Sequence, residues 1–482
     1  MKTIVLFHRL ELTELFASMC GTLDGRCHIV HLAYSDEELA RLRRMGVTGQ
    51  ITVFKDEVRR LYQNTSPDPR TLNEIDALFL RGSSGAFNLN AAIQSDRGFS
   101  LLSLEEAQRL TVAYHRFWCD FLELHQADAV VHETCSLMLN FVAAMVCAQR
   151  GAHYLYAIMA LGPEKGFNHM LMSGFDFTCP DLDRALSAIA SRELPVDAQR
   201  CIRFLTDFRQ NYAVFLGSAF KRPSLARLAA LTLLNSARQR LKGNRHDRIL
   251  DNIDHWQNRQ RRTAQKLGNL IRYRREIEFE RIVPGERYYF YPLHLEPEAV
   301  VLYHAHGLYT NQVKLIQNIA AQLPPGVMLY VKDHPHDHGY RSVEDYHAIK
   351  SVPNIRLLDA SVPGKEVINQ SLGVVTLTGT AGFEALLMGK QVFTFGKCFY
   401  SPGAGVVYLR NIRDLREAFY DAQIRLPIAD EALYGYLTAY FASLHPGLTD
   451  YFGGRAQRYG IDIVKNSAIV AEGMLATLGA DV

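Results

Sequence analysis

The sequence predicts an α/β protein with two Rossmann-like domains, a cleft between them and a helical insertion. The chain has 482 residues, 48% of them hydrophobic and 21% charged, which is too long for one ordinary core. In both halves, short apolar runs typical of buried parallel strands alternate with helical segments. Between the halves, residues 221–285 have a helical pattern and many cations.

The first half shows the alternation clearly. The apolar runs predict strands, and the longer segments between them predict helices. The expected strands are 4–7, 27–32, 127–131 and 154–159, and the expected helices are 104–124 and 136–149.

The pattern restarts at residue 288. The expected strands are 288–291, 327–332, 354–358, 373–377 and 391–395, and the expected helices are 312–323, 365–371 and 382–388. The tail beyond 416 has a helical pattern, and 468–478 is suited to pack back onto the domains. We therefore predict an N-terminal domain at 1–220, an insertion at 221–285, a C-terminal domain at 286–416 and terminal helices at 417–482.

The cysteine pattern and the hydropathy indicate the cellular compartment of the protein. None of the eight cysteines forms a C-x-x-C pair, so neither a disulfide framework nor a structural zinc site is predicted. The N-terminal apolar run is too short for a signal peptide, and no apolar stretch is long enough to span a bilayer. We expect a cytoplasmic protein.

Residues 221–285 concentrate positive charge. They hold 16 Lys and Arg against 6 Asp and Glu, a local net charge of +10 in a chain of +3, so −7 remains elsewhere. One interpretation is a solvated helical insertion. The other is contact with an anionic membrane surface, led by Arg259, Arg261, Arg262 and Arg274. The whole-chain balance gives no reason to expect nucleic acid.

Three segments of the second half carry the candidate chemistry. They are 292–298, 330–335 and 376–384, and each lies at the end of a predicted strand. In open α/β sheets, ligands bind outside the carboxyl ends of the strands. The sequence therefore predicts that these segments line one site.

The third segment predicts a phosphate site. Small residues let the backbone approach an anion, the start of a helix favours negative charge, and Thr378 and Thr380 add hydroxyls. An ordinary turn between strand and helix is the alternative. The segment is neither a Walker loop nor a G-x-G-x-x-G loop.

His334 precedes Pro335, which restricts it to extended geometry at a strand end. We predict an imidazolium there that binds phosphate and stabilises a departing nucleotide. A hydrogen-bonded structural histidine is the alternative. His336 and His338 suggest a metal, but the run is one residue short of the H-x-H-x-D-H pattern, so no metal is predicted.

Four motifs together resemble the capsular polysaccharide biosynthesis family, which contains bacterial 3-deoxy-manno-octulosonic acid (Kdo) transferases. They are Pro292-Leu293-His294 with Glu296-Pro297-Glu298, Val331-Lys332-Asp333-His334-Pro335, Thr378-Gly379-Thr380-Ala381-Gly382-Phe383-Glu384-Ala385, and Gly396-Lys397-Cys398-Phe399-Tyr400. The resemblance covers roughly 288–401. It implies a GT-B architecture, with a nucleotide-sugar donor in the C-terminal lobe and an acceptor in the N-terminal lobe.

The resemblance also implies which residues hold the donor phosphate, namely His334 and the loop 378–380. Similar His-Pro motifs occur in bacterial sialyltransferases that use CMP-sugars, so CMP is the favoured nucleotide. Asp333 stands where many relatives carry Glu, and Thr-Gly-Thr stands where others have Ser-Ser or Ser-Thr. The donor residues expected are Lys332, His334, Pro335, Thr378, Gly379, Thr380, Gly382 and Glu384, with His294 and Glu296 as further candidates.

The acceptor half offers fewer candidates. Glu133 follows a predicted strand and is the preferred general base for an acceptor hydroxyl. A glutamate that is simply favoured by a helix start is the alternative. His132 and Glu164 are secondary candidates.

The sequence thus predicts a glycosyltransferase that builds bacterial capsule or lipopolysaccharide. It would transfer an acidic sugar such as Kdo from a CMP-sugar to a glycan or glycolipid, without metal, at the inner face of the cytoplasmic membrane. A CDP-alcohol polyol-phosphate transferase, a sugar-nucleotide epimerase and a non-enzymatic anion-binding scaffold are the alternatives.

Overall fold

The chain divides into two compact units. A computed structural model describes residues 1–163, 169–210, 223–242, 247, 249–252, 263–296, 298–424, 428–449 and 460–479. Unit 1 comprises 1–196 and 438–482, and unit 2 comprises 197–437. Over the described residues, no helix combines the length and apolar character needed to cross a membrane.

Unit 1 is built on a seven-stranded sheet in the order β13-β6-β5-β4-β1-β2-β3, parallel except at β6 and β13. Its strands are β1 (Thr3–His8), β2 (His28–Ala33), β3 (Thr52–Val53), β4 (Ala129–Val131), β5 (His153–Ala160), β6 (His169–Ser173) and β13 (His445–Pro446). Its helices are α1 (Leu12–Leu23), α2 (Asp36–Arg44), α3 (Phe54–Gln63), α4 (Pro69–Gly82), α5 (Leu89–Ser95), α6 (Leu104–His125), α7 (Met138–Arg150) and α8 (Pro180–Ala190).

The last described helix, α18 (Ile463–Leu478), returns to unit 1. Its apolar side chains, among them Met474 and Leu475, pack with those of α1 and the central strands in one buried cluster. The predicted helix at 468–478 is confirmed, and its place is against α1.

Unit 2 is built on a six-stranded, fully parallel sheet in the order β12-β11-β10-β7-β8-β9. Its strands are β7 (Tyr288–Pro292), β8 (Met328–Lys332), β9 (Ile355–Leu358), β10 (Gly373–Thr376), β11 (Gln391–Thr394) and β12 (Val406–Tyr408). Its helices are α9 (Ala198–Gln210), α10 (Leu225–Lys242), α11 (Thr263–Glu276), α12 (Gln312–Gln322), α13 (Val343–Lys350), α14 (Gly364–Gln370), α15 (Thr380–Leu387) and α16 (Leu415–Ile424), with α17 (Glu431–Ala442) at the boundary between the units.

The strands of unit 2 are apolar because helices cover both faces of a parallel sheet. Tyr289, Leu329, Val375 and Phe393, from four neighbouring strands, are fully buried in one core. The fold class of two Rossmann-like α/β domains is confirmed.

The boundaries differ from the predicted ones in three places. The predicted N-terminal domain 1–220 stops at 196, because α9 contacts α15 of unit 2. The described part of 221–285 is no separate linker, since Leu225, Leu228, Leu270 and Tyr273 pack into the core of unit 2. The predicted terminal segment 417–482 is shared between the two units.

Candidate functional site

Three adjacent strands of unit 2 bring the predicted segments together. β7 lies between β10 and β8, and Pro292 is in register with Lys332 where β7 and β8 end. Because all three strands are parallel, their carboxyl ends lie at one edge of the sheet. The predicted convergence of 292–298, 330–335 and 376–384 follows from this strand order.

The loop after β10 has the features of an anion receptor. Helix α15 begins at Thr380, two residues before the predicted start, and no side chain caps it at Gly379. Thr376 Oγ1 accepts a hydrogen bond from the Gly379 N–H at 3.2 Å. The Thr378 side chain is 6% exposed, and its hydroxyl has no hydrogen-bond partner within the described ranges. A buried, unsatisfied hydroxyl is costly unless a ligand completes it.

The His294 ring holds this loop by hydrogen bonds. Its Nε2 accepts the Leu377 N–H at 3.2 Å and lies 3.1 Å from Thr376 Oγ1. A Cβ at Gly379 would lie 2.6 Å from the His294 ring, so only glycine fits there. Burial, with smaller contributions from His334 and Arg341, lowers the pKa of His294 to about 3. His294 is therefore a neutral positioning residue.

Tyr400 closes the other side of the loop. Its hydroxyl donates a hydrogen bond to the Gly379 carbonyl at 2.6 Å, and its ring occupies the space that a side chain at Gly382 would need. The small residues of 378–382 thus allow close packing from two sides. This packing fixes the backbone at the start of α15.

His334 lies at the end of β8, in the tight turn that Pro335 begins. Its Nδ1 accepts the His336 backbone N–H at 3.2 Å, which leaves the proton on Nε2. Burial, then the neighbouring His336, lowers the pKa of His334 to about 4. The predicted imidazolium is therefore corrected: in the unliganded protein His334 is a neutral Nε2–H donor.

A buried arginine that the sequence analysis missed holds two of the segments together. The guanidinium of Arg341 pairs with Asp333 at 3.4 Å, Asp337 at 3.1 Å and Glu296 at 3.2 Å. It also donates to the His294 carbonyl at 3.3 Å. We call these four charged residues the Arg341 cluster. Arg341 links the 292–298 segment to the His334 turn.

Gln312, at the start of α12, completes the support of His294. Its side-chain oxygen accepts the His294 N–H at 2.8 Å, and its side-chain nitrogen donates to the His294 carbonyl at 3.1 Å. The same nitrogen donates to Glu296. Neither Gln312 nor Arg341 belongs to a recognisable motif, so only spatial proximity identifies them.

Lys332 and Glu384 are close enough to interact electrostatically. Lys332 is buried and donates to the carbonyls of Asp333 at 3.5 Å and Ala360 at 3.4 Å. Burial raises the pKa of Glu384 to about 7, and the opposing effects of Lys365 and Lys332 reduce this shift. Lys365 is a further buried cation that the sequence analysis did not select.

The described residues give no metal-binding group. Across the described ranges, no three side chains of His, Cys, Asp or Glu gather closely enough to hold a metal ion. His334, His336 and His338 follow one another in the turn without forming such a group.

The candidates of unit 1 lie at the carboxyl end of β4. The Glu133 carboxylate accepts a hydrogen bond from Arg9, and both side chains are largely buried. Burial would raise the pKa of Glu133, but Arg9, followed by His132 and Arg97, lowers it below its usual range. Glu133 is thus an ionised carboxylate held in place by a cation.

His132 is a buried neighbour of Glu133. Its Nδ1 lies 3.0 Å from the Phe7 carbonyl and its Nε2 3.8 Å from Glu133. Burial lowers the pKa of His132 to about 4, although the Glu133 charge opposes this shift. The structure therefore brings His132 and Glu133 together in unit 1, and Glu164 lies outside the described residues.

Part of the chain is similar in sequence to a known protein family. Residues 214–434 match the model of the family described as "Capsule polysaccharide biosynthesis protein". That segment includes all donor-site candidates, from His294 to Glu384. No curated protein matches the chain.

Solved structures with a similar layout are distant. The KpsC β-Kdo 2,7-transferase of Thermosulfurimonas dismutans is 13% identical, with a TM-score of 0.36, and 75% of this chain aligns with 89% of that one. The UDP-GlcNAc 2-epimerase of Neisseria meningitidis, bound to UDP-GlcNAc, is 11% identical with a TM-score of 0.24, covering 99% of this chain and 100% of that one.

The family match and the site in unit 2 coincide in the sequence. The resemblance stated from the four motifs is confirmed over a longer stretch than the motifs themselves. Over residues 214–434, which are just under half of the chain, the protein is similar to the capsule polysaccharide biosynthesis protein family.

Proposed function

We propose that the protein is a glycosyltransferase of bacterial capsule or lipopolysaccharide synthesis. It transfers an acidic sugar such as Kdo from a CMP-sugar donor to a glycan or glycolipid acceptor. The observation that carries the proposal is the buried, unpartnered Thr378 hydroxyl at the uncapped start of α15. The segment also lies within the family match.

The chemistry of such a transfer suits this receptor. When the bond between the sugar and the donor phosphate breaks, the bonding electrons go to the phosphate oxygen, and the nucleotide leaves with added negative charge. The start of α15, the Thr378 hydroxyl and the Nε2–H of His334 supply donors for that charge. These donors are preorganised, since His294, Gln312 and Tyr400 fix the backbone around them.

A nucleoside monophosphate matches the small number of donors at the receptor. The described residues offer one helix start and one histidine donor for the phosphate, and the family resemblance favours CMP. Neutral His334 gives a hydrogen bond without a fixed charge. Phosphate binding would itself favour protonation of this histidine.

Glu133 is the proposed base for the acceptor hydroxyl. Because its pKa is low, the Glu133 carboxylate is a weak base in the ground state. A weak base is sufficient here, since the acceptor hydroxyl gives up its proton only as its oxygen bonds to the cationic sugar carbon. Arg9 holds the carboxylate in one orientation.

We also propose that the reaction takes place in the cytoplasm. All eight cysteines are free thiols, and six of them are buried. Free cysteines in this number are typical of a reducing compartment.

A donor screen tests the proposal. Purified protein is incubated with CMP-Kdo, CDP-glycerol or UDP-GlcNAc, with and without an acceptor extract, and with excess EDTA. We expect CMP release that depends on acceptor and survives EDTA. Glycerol phosphate transfer from CDP-glycerol would identify a polyol-phosphate transferase, and acceptor-independent conversion of UDP-GlcNAc an epimerase. Absence of nucleotide binding would leave the anion-binding scaffold.

A further inference from the structure

Helix α10 carries apolar side chains on two faces. Leu225 and Leu228 pack against the core of unit 2. On the outside, Leu231 is 38%, Leu233 73% and Leu234 55% exposed. Arg227, Ala230, Leu231 and Leu234 follow the i, i+3, i+4, i+7 spacing of one helical stripe. We call the side chains of Arg227, Ala230, Leu231, Leu233 and Leu234 the outer face of α10.

Helix α11 packs against α10 and adds cations to this region. Arg274 and Arg275 are exposed, and Ile271 is 36% exposed. Neither these two arginines nor Arg227 forms an ion pair or side-chain hydrogen bond among the described residues. Arg272 of the same helix differs, since it pairs with Glu276 and Glu344. Three exposed, unpaired cations therefore lie on α10, which presents the leucines, and on α11, which packs against it.

We propose that α10 and α11 dock the protein on an anionic membrane surface, with Leu231, Leu233 and Leu234 entering the lipid interface. Exposed leucines beside lysines and arginines are the two parts that an interfacial helix needs. Apolar burial and attraction to anionic lipid then act together. None of these exposed residues is among the donor-site candidates, and the proposal does not depend on the proposed reaction.

Charge decides between a membrane and a second copy of the chain as the occupant. The exposed, unpaired cations of this surface among the described residues are Arg227, Arg274 and Arg275. Two copies joined through this surface would bring like charges together, which disfavours the dimer. An anionic bilayer instead offers both a complementary charge and an apolar interior. Arg259, Arg261 and Arg262 lie outside the described residues, so the surface is defined without them.

Vesicle flotation tests the proposal with the full-length protein. The vesicles contain either pure phosphatidylcholine or a mixture with one third phosphatidylglycerol, at low and high salt. We expect wild-type protein to float with the anionic vesicles at low salt. At high salt the bound amount should fall roughly tenfold, because salt screens the exposed cations. Wild-type protein that ignores anionic vesicles at low salt overturns the proposal.

Two variants, each with a matched control, separate the contributions of the leucines and the arginines to vesicle binding. Leu233→Ser/Leu234→Ser should lower vesicle binding at least threefold, whereas Leu124→Ser, at a leucine 77% exposed in unit 1, should not. Arg274→Gln/Arg275→Gln should lower the salt-sensitive part of the binding. The matched variant Arg59→Gln/Arg60→Gln removes two exposed arginines that already pair with Asp56 and Glu57, and it should bind as wild type.

Two results would contradict the role of the leucines. Unchanged vesicle binding of Leu233→Ser/Leu234→Ser would mean that charge alone holds the protein. A concentration-dependent dimer in analytical ultracentrifugation that the same variant dissolves would assign the outer face of α10 to a second copy. Circular dichroism and thermal melting of each variant establish that it is folded.

Discussion

Nδ1 of His334 accepts the backbone N–H of His336 at 3.2 Å, which places the proton of the neutral ring on Nε2. The ring therefore presents a donor to the leaving phosphate. We expect His334→Ala to lower turnover about tenfold or more without loss of fold, since it removes that hydrogen bond. Steady-state kinetics and a melting curve check this.

Two further variants make this test more specific. His334→Gln can place an amide N–H near the Nε2 position, so it should retain more activity than His334→Ala. His347→Ala removes a histidine whose side chain is 54% exposed on α13 and should match wild type. Unchanged turnover of a folded His334→Ala variant would remove His334 from the mechanism.

Thr378→Val replaces the unpartnered hydroxyl with a methyl group of similar size. The free energy of unfolding should stay the same or rise by about 1 kcal/mol, since a buried unsatisfied group is lost. Nucleotide affinity should fall about tenfold, because the ligand was its partner. Calorimetric titration with CMP and urea unfolding measure both quantities.

Thr394 provides a matched comparison in β11. Its hydroxyl is also buried and lacks a hydrogen-bond partner within the part of the chain that the structure describes. Thr394→Val should change stability as Thr378→Val does and leave CMP affinity unaltered. Equal affinities for all three proteins would show that Thr378 does not contact the nucleotide.

Arg341→Met should destabilise unit 2 strongly. The substitution leaves Asp333, Asp337 and Glu296 without their shared cation, and loss of one partner from a buried ion pair costs about 3–5 kcal/mol. The exposed comparison is Arg272→Met, which should cost much less, because solvent screens the ion pairs of Arg272 with Glu276 and Glu344. Urea unfolding of both variants checks the difference, and similar losses would show that the Arg341 cluster contributes little.

His294 should make the protein sensitive to acid. Its pKa is about 3 in the folded protein, below the usual 6.5, so the folded state binds the proton less readily than the unfolded state. The stability from this neutral ring is complete above pH 6.5 and is lost as the pH falls towards 3, by roughly 1.4 kcal/mol per pH unit. His294→Gln does not titrate, so its stability should approach that of wild type between pH 6.5 and 4. A constant difference in unfolding free energy over this range would contradict the expectation.

Glu133→Gln should lower turnover about 100-fold, the effect expected for loss of a general base. CMP affinity should not change, since the nucleotide candidates belong to unit 2. Glu123→Gln removes a carboxylate that is 70% exposed and paired with Arg150, and it should behave as wild type. Normal turnover of a folded Glu133→Gln variant would exclude Glu133 as the base and leave His132 as the candidate of unit 1.

The parallel strands were predictable because burial on both faces gives them continuous apolar runs. The run at 288–291 is β7, and the run at 327–332 contains β8. The strands β3, β6, β12 and β13 were not predicted, and β3 and β12 have only two and three residues. β13 has two residues, one of them Pro446, and its pairing with β6 joins chain positions far apart in sequence.

The candidate site was predictable where a motif follows a strand, as at His334 and Thr378. The state of His334 was not predictable, because its proton position and lowered pKa come from the His336 backbone and from burial. Arg341 lies in a loop that matches no sequence motif. Its role in holding two segments together depends on ion pairs with three carboxylates, which only the folded structure reveals. Sequence thus selected the candidate residues, and tertiary contacts defined their electrostatics.

The pairing of α18 with α1 has a consequence for synthesis of the protein. Residues 1–196 of unit 1 precede unit 2 in the chain, yet Met474 and Leu475, which follow unit 2, pack into their core. About 270 residues separate residue 196 from α18, which at roughly 5–20 residues per second takes tens of seconds. During that time unit 2 can fold, while residues 1–196 expose the apolar surface of α1 that α18 later covers.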